Sequence, residues 1–233
     1  MEYIFIICIC MLTMIILKFV WSIKIRDIKK LKELGYDKGL NEITNKLPEN
    51  KEICKDFLKM LNNENVKIEE SEGNQASLYM VLSNSIIIAN IKNTFTRVQT
   101  LAHECLHSIQ NKRTLLFNFI FSNIYFIYFI AICILAILKI NPLPNTVLFA
   151  LAIFSFINYI IRSYLEMDAM INAKPLAEQY LKREGTLTEK EQETISNNYD
   201  EINNIGIKLY NYTLITKNLI KIIIYSVICI IFI

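Results

Sequence analysis

The chain has 233 residues, of which 53% are hydrophobic and 20% are charged. It is too apolar for an ordinary soluble domain, and its apolar residues form long runs between polar stretches, as in membrane proteins. The net charge of +3 is small. No cluster of basic and aromatic residues indicates a nucleic-acid-binding protein. The six cysteines contain no CxxC pair and predict free thiols in a reducing compartment rather than disulfides.

The first apolar run, Tyr3 to Trp21, has the length of a transmembrane helix. It has neither the basic N-terminal region nor the cleavage site of a signal peptide. Only Met1 and Glu2 precede it, whereas five basic residues follow within the next eleven positions. The positive-inside rule therefore predicts that the N-terminus lies outside and that the chain from residue 23 onward lies in the cytoplasm.

The polar segment that follows has the pattern of a small α+β domain. We expect a short helix over Ile28 to Leu40 that ends near Gly35 or Gly39, and a second helix over Glu49 to Asn62. Three β-like pieces come next, because β-branched and aromatic residues are concentrated in them. They cover Val66 to Glu69, Ser77 to Leu82 and Ser85 to Ile91.

A helix is predicted from about Thr96 to Lys112, with one apolar stripe formed by Val98, Leu101, Ala102, Cys105 and Ile109. It is too polar to span a membrane, which argues against a protease whose motif lies inside a spanning helix.

Residues 103–107 of this helix read HECLH, an HExxH pattern that holds the only two histidines of the chain. Residues i and i+4 share a helix face, so His103 and His107 can bind one zinc ion. Glu104 can accept a proton from the zinc-activated water and pass it to the leaving amine. The pattern predicts a zinc peptidase. The alternative interpretation is two histidines on a helix surface beside a glutamate, with no metal.

A catalytic zinc usually has a third protein ligand, and no histidine remains to supply it. Arg113 stands where a metzincin has its third histidine, so a carboxylate must serve. Glu166 is the best candidate, because the chain crosses the membrane twice after the HExxH helix and re-enters the cytoplasm just before it. Asp168 could orient a ligand histidine. Both acids could instead lie on a solvated helix end.

Two further apolar runs, Leu115 to Leu138 and Val147 to Ile161, predict a membrane hairpin joined by a proline-containing turn at Lys139 to Asn145. In the polar stretch after it, Pro175 suits the first turn of a helix, and Thr188 with Glu191 makes a capping-box signal. The last run begins at Leu219 and is short for a full span, so it tilts or stops within the bilayer.

Two weaker signals concern the substrate. Ser85 to Ile91, with Ile86 and Ile88, could be an edge strand that binds a peptide as an added β-strand, or equally a buried core strand. Tyr199, Tyr210 and Arg183 could stabilise an oxyanion, although packing and surface roles are more typical of such residues.

The chain resembles the bacterial membrane-bound neutral zinc metallopeptidases of the YugP-like type over most of its length. Residues 102–110, AHECLHSIQ, match the AHEVGHAIQ-like motif, and residues 166–169, EMDA, match an E-x-[ND]-A element after the hairpin. The resemblance implies His103, His107 and Glu166 as zinc ligands and Glu104 as the base, in a gluzincin-like site related to that of the HtpX-type membrane proteases. Leu106 stands where the family usually has Gly, and the residues after Ala169 lack its usual basic character.

We therefore expect a mainly α-helical protein of the cell membrane, with three or four transmembrane helices and a zincin-like α+β catalytic part at the cytoplasmic face. Its predicted segments are an N-terminal span (1–22), a catalytic part (23–114), a membrane hairpin (115–162), a helical part with the third ligand (163–218) and a last membrane segment (219–233). The predicted activity is that of a metalloendopeptidase, which cleaves peptides or membrane proteins. A role in membrane-protein quality control is expected by analogy with related membrane proteases. The alternative is an inactive membrane protein that binds a partner through the same domain.

Overall fold

The computed structural model describes residues 1–71, 73–74, 76–140 and 143–232. The described chain is mostly helical, with one small three-stranded sheet, which confirms the coarse fold class. The elements in chain order are α1 (Glu2–Val20), α2 (Ile25–Gly35), α3 (Lys38–Thr44), α4 (Asn50–Met60), β1 (Lys67–Glu70), β2 (Leu78–Met80), β3 (Ser85–Ile88), α5 (Arg97–Ile109), α6 (Lys112–Ile137), α7 (Pro144–Glu184) and α8 (Glu189–Phe232).

The chain divides into two compact units. We call Met1–Ile23, Phe117–Tyr164 and Lys208–Ile233 the apolar unit, and Lys24–Leu116 with Leu165–Ile207 the polar unit. The sequence predicts boundaries after residues 22, 114, 162 and 218, and the chain passes from one unit to the other after residues 23, 116, 164 and 207.

Four helices of the described chain, α1, α6, α7 and α8, are long and apolar enough to cross a membrane. In the apolar unit they share a core that includes Ala136, Leu151 and Tyr225. Some polar groups inside this unit bond across helices: the Tyr125 hydroxyl lies 2.8 Å from Ser155 Oγ and 3.3 Å from Asn218 Oδ1. Such bonds between helices hold a bundle together where no water is available.

Helices α7 and α8 are longer than the sequence pattern indicates. Pro175 lies inside α7, not at the start of a new helix, so that prediction was wrong. The lost backbone bond is offset because the flanking residues Ala173, Leu176 and Ala177 are buried in the core of the polar unit. The final apolar run continues α8, so it is part of a 44-residue helix and is not a separate short segment. Asn141 and Pro142 of the predicted turn, and Ile233, lie outside the described residues.

Local capping explains two boundaries. The helix predicted over Ile28 to Leu40 is two helices, because Asp37 interrupts it and its Oδ1 accepts a 2.9 Å bond from the Leu40 N–H as the N-cap of α3. The capping box is present at the start of α8. The Thr188 N–H donates to Glu191 Oε2 at 2.9 Å, and the Glu191 N–H donates to Thr188 Oγ1 at 3.3 Å.

The sheet has the order β1–β3–β2, with β1 parallel and β2 antiparallel to β3. Of the two alternatives for the Ser85–Ile91 segment, the structure has the buried core strand and not the substrate-binding edge strand, because β3 is paired on both sides. Ile86 and Ile88 are 0% and 1% exposed and belong to the core of the polar unit. Their unbroken β-branched run suits a strand that is buried on both faces, and β2 is the edge strand beside it.

Helix α5 packs in the polar unit with α4 and the sheet. Four of the five residues of its predicted stripe, Val98, Leu101, Ala102 and Cys105, are 0% exposed. Ile109 is 48% exposed, because it is the last residue of the helix. All six cysteines are free, and buried Cys54 of α4 lies with its Sγ 3.5 Å from that of Cys105. The packed stripe fixes the rotation of α5 and therefore the direction of its polar face.

Candidate metal centre

The HExxH residues occupy the middle of α5. His103 and His107 are one turn apart, and their Nε2 atoms lie 3.1 Å from each other with the rings nearly perpendicular, at 88°. The two imidazoles therefore point their Nε2 atoms at one common position. The helix that carries them belongs to the polar unit and, at 13 residues, is too short to span a bilayer.

Glu166 of α7 completes the group. Its Oε2 lies 3.4 Å from His103 Nε2 and 3.8 Å from His107 Nε2. Sixty-two positions separate the first histidine from this acid in the sequence. The three side chains together could hold a metal ion, because their ligand atoms lie within 4.8 Å of one another.

The spacing of these atoms fits a small divalent ion. Ligands at the usual zinc–nitrogen and zinc–oxygen distances in a tetrahedral site are separated by roughly 3.3 Å. The three separations here are 3.1, 3.4 and 3.8 Å, so the side chains already surround such a position. Two imidazoles and one carboxylate would leave a fourth tetrahedral position open on a bound ion.

Glu104 is buried, at 7% exposure, and its Oε2 accepts a 2.8 Å hydrogen bond from the Tyr79 N–H of β2. Burial raises the pKa of Glu104 and outweighs the charges of His103 and His107, which act in the opposite direction. Its carboxyl group therefore interacts with the proposed ligands without being one of them, and it takes up a proton more readily than an exposed glutamate.

Glu166 and His107 shift the pKa of each other. Burial alone would raise the pKa of Glu166, but the two imidazoles beside it reverse this effect and hold its pKa far below the usual range. Burial alone would lower the pKa of His107, but Glu166 and Gln110 act more strongly and raise it. A carboxylate that stays ionised among imidazoles is a ready ligand for a cation.

The sequence suggested that Asp168 could orient a ligand histidine. In the structure it does not contact either histidine directly. Its Oδ2 instead accepts a 2.8 Å bond from Gln110 Nε2, and Gln110 Oε1 lies 2.8 Å from His107 Nδ1. Asp168 is thus connected to His107 through one glutamine. Gln110 was missed in the sequence, because its partners Leu165 and Asp168 are 55 and 58 positions away.

Other candidates lie elsewhere. The Tyr199 hydroxyl is buried and donates to the Phe95 carbonyl oxygen at 3.0 Å, which is a packing role and not an oxyanion contact. Tyr79 was missed, because nothing in a three-residue strand indicates that one of its N–H groups would reach a glutamate 25 positions away.

No protein-family model, curated protein or solved structure matches this chain. The functional argument therefore depends on the motif and on the geometry of the His103–His107–Glu166 group.

Proposed function

We propose that the protein is a membrane-anchored zinc metallopeptidase, with His103, His107 and Glu166 as zinc ligands and Glu104 as the general base. The convergence of the three ligand atoms, with a buried carboxyl group beside them, carries this proposal. A site that only binds a structural ion has no use for Glu104 in that position.

Each residue has a distinct task in peptide hydrolysis. The two imidazoles and Glu166 would hold the ion, which would supply polarisation of the scissile carbonyl and a more acidic water. Glu104 accepts a proton from the attacking water at its carboxylate and donates it to the leaving amine. Its raised pKa favours this exchange, because a group with a pKa closer to neutrality both accepts and returns a proton readily.

The edge strand β2, which lies beside Glu104, offers a place for the peptide. Tyr79 lies opposite Ile86 of β3, but its N–H donates away from β3, to Glu104. A substrate that pairs with this side of β2 would bring its main chain next to the base. Substrate recognition by main-chain pairing would favour extended or unfolded segments over folded ones.

The proposal extends to family and setting. The AHECLHSIQ and EMDA elements support membership of the YugP-like metallopeptidases, with a zincin-like catalytic part. Four membrane-compatible helices support a multi-pass protein of a bacterial cell membrane, and the basic residues after α1 favour a cytoplasmic site. Peptides or membrane proteins are the proposed substrates, and quality control is proposed by analogy with related proteases.

The decisive experiment compares detergent-purified wild type with Glu166→Gln, Glu104→Gln and Glu193→Gln. Glu193 is an exposed residue of α8 and provides the matched Glu→Gln control. Zinc per chain is measured by mass spectrometry, and cleavage of an unfolded protein is assayed in parallel. We expect about one zinc per chain in wild type and in Glu193→Gln, loss of zinc in Glu166→Gln, and bound zinc without cleavage in Glu104→Gln.

Each other result has a defined meaning. A wild type without zinc would reject the peptidase and favour the non-catalytic, partner-binding alternative. Zinc retained in Glu166→Gln would remove this residue from the ligand set. Full cleavage by Glu104→Gln would show that another group serves as the base.

A further inference from the structure

Gln110 lies in the two-residue joint between α5 and α6. It is the C-cap of α5, and the next residue, Asn111, caps α6 by accepting bonds from the Arg113 and Thr114 N–H groups. The Gln110 side chain makes three hydrogen bonds to groups of the polar unit. They connect the HExxH helix to the part of α7 that carries Glu166.

The orientation of this amide is fixed by chemistry. Gln110 Nε2 lies 2.7 Å from the Leu165 carbonyl oxygen and 2.8 Å from Asp168 Oδ2, and neither of these atoms can donate a proton. A flipped amide would place its oxygen against two acceptors. Nε2 therefore faces α7 with both of its protons, and Oε1 faces His107.

This orientation determines which nitrogen of His107 carries the proton. Oε1 can only accept, so the His107 Nδ1 that lies 2.8 Å away must donate. A neutral imidazole with its proton on Nδ1 has a lone pair on Nε2. That lone pair points toward His103 Nε2 and Glu166 Oε2, where the proposed metal would bind.

The same side chain also holds α7. The carbonyl that accepts from Gln110 belongs to Leu165, the residue before Glu166. Asp168 is itself held, because its Oδ1 accepts a 3.2 Å bond from Asn172 Nδ2 while Oδ2 accepts from Gln110. One amide thus contacts a ligand histidine on one side and the backbone next to the ligand glutamate on the other.

We infer that Gln110 is a positioning residue, which selects the Nδ1–H tautomer of His107 and anchors the Glu166 segment of α7 against α5. The importance of this role for metal binding rests on the proposed function. The tautomer itself can be measured without any metal.

The test uses histidine ¹⁵N NMR on the full-length protein in detergent after a chelator has removed any bound metal, at a pH where the rings are neutral. Only two histidines contribute, so His103→Asn assigns the spectrum. We expect His107 to show a protonated Nδ1 in wild type and in Gln179→Ala, an exposed glutamine of α7 that serves as the matched control. Gln110→Ala should shift His107 toward the Nε2–H tautomer, which free histidine favours. Gln110→Glu, which retains an acceptor, should keep the wild-type tautomer.

Metal binding by the same variants tests the second part. Competition with a coloured chelator should show about 10- to 100-fold weaker zinc binding in Gln110→Ala. Gln110→Glu should also bind more weakly and alter the Co²⁺ absorption spectrum, because it cannot donate to Leu165 and Asp168. Thermal unfolding checks that each variant folds.

An Nε2–H tautomer of His107 in wild type, or an unchanged tautomer in a folded Gln110→Ala, would overturn the inference even if the protein binds zinc. A zinc-free wild type with the expected tautomers would instead reject the proposed function and leave the positioning role of Gln110 intact.

Discussion

Arg97 is the first residue of α5, and it is only 2% exposed although it is charged. Its guanidinium donates to the carbonyl oxygens of Thr44, Leu47 and Pro48 and to Asn50 Oδ1, each at 2.8–2.9 Å. The planar fork of arginine can reach four acceptors at once, which a lysine cannot. Arg97 thereby ties the start of the HExxH helix to the end of α3 and the start of α4.

We predict that Arg97→Ala lowers the free energy of unfolding of the polar unit by about 3 kcal/mol or more, because several buried acceptors lose their donor. Arg97→Lys should recover only part of this loss. The measurement is thermal unfolding in detergent, with Arg183→Ala at an exposed arginine of α7 as the control. Equal melting temperatures for wild type and Arg97→Ala would contradict the prediction.

At the scale of elements, the position of the proposed ligand Glu166 depends on how α7 packs against the rest of the polar unit. Three alanines spaced four apart on α7, Ala169, Ala173 and Ala177, are at most 1% exposed and share a core with Leu101 and Cys105 of α5. Small side chains at this spacing lie on one face of a helix and permit close packing. Glu166 lies one turn before Ala169, so the packing of this face determines where its carboxylate lies.

We predict that Ala173→Leu destabilises the polar unit by about 1–3 kcal/mol, because the core has no room for the added atoms. Zinc affinity should fall in parallel as α7 shifts and carries Glu166 with it. Chelator competition and thermal unfolding measure the two effects, and Lys182→Leu on the exposed side of α7 is the control. Unchanged zinc affinity in a destabilised Ala173→Leu would show that the ligand position does not depend on this packing.

At the scale of the whole molecule, the chain alternates between apolar and polar segments and yet forms only two units. Helices α7 and α8 each contribute residues to both. The proposed ligands, the proposed base Glu104 and Gln110 all belong to the polar unit, which is built from two stretches separated by α6 and the first half of α7. Chain reversal through the hairpin is therefore what brings the HExxH helix and Glu166 into one unit.

Orientation is tested with single cysteines in a Cys8→Ser background, since Cys8 is the one exposed native cysteine. We predict that a membrane-impermeant maleimide labels Lys139→Cys on intact cells. Lys182→Cys should react only after permeabilisation, because the basic flanks of the spans favour a cytoplasmic polar unit. Both residues are exposed on the protein. The reverse pattern would place the proposed site outside the cell.

The sequence by itself was sufficient for the mainly helical fold, the long apolar helices and the α5 helix with its HExxH residues, because these depend on periodicity and on spacing within one element. His103, Glu104 and His107 lie within five positions, so a single helix turn relates them. Glu166 was inferable from the predicted order of the membrane crossings and from the EMDA element, and the structure brings it to the two histidines.

Only the tertiary structure decided which strand is central in the sheet, that α7 continues through Pro175, and that Gln110 rather than Asp168 contacts His107. Strand order depends on pairing between distant segments. The continuity of α7 depends on the burial of residues around Pro175, which offsets the lost hydrogen bond. The role of Gln110 depends on acceptors 55 and 58 positions away. Local pattern carries no information on such contacts, because they exist only once the chain has folded.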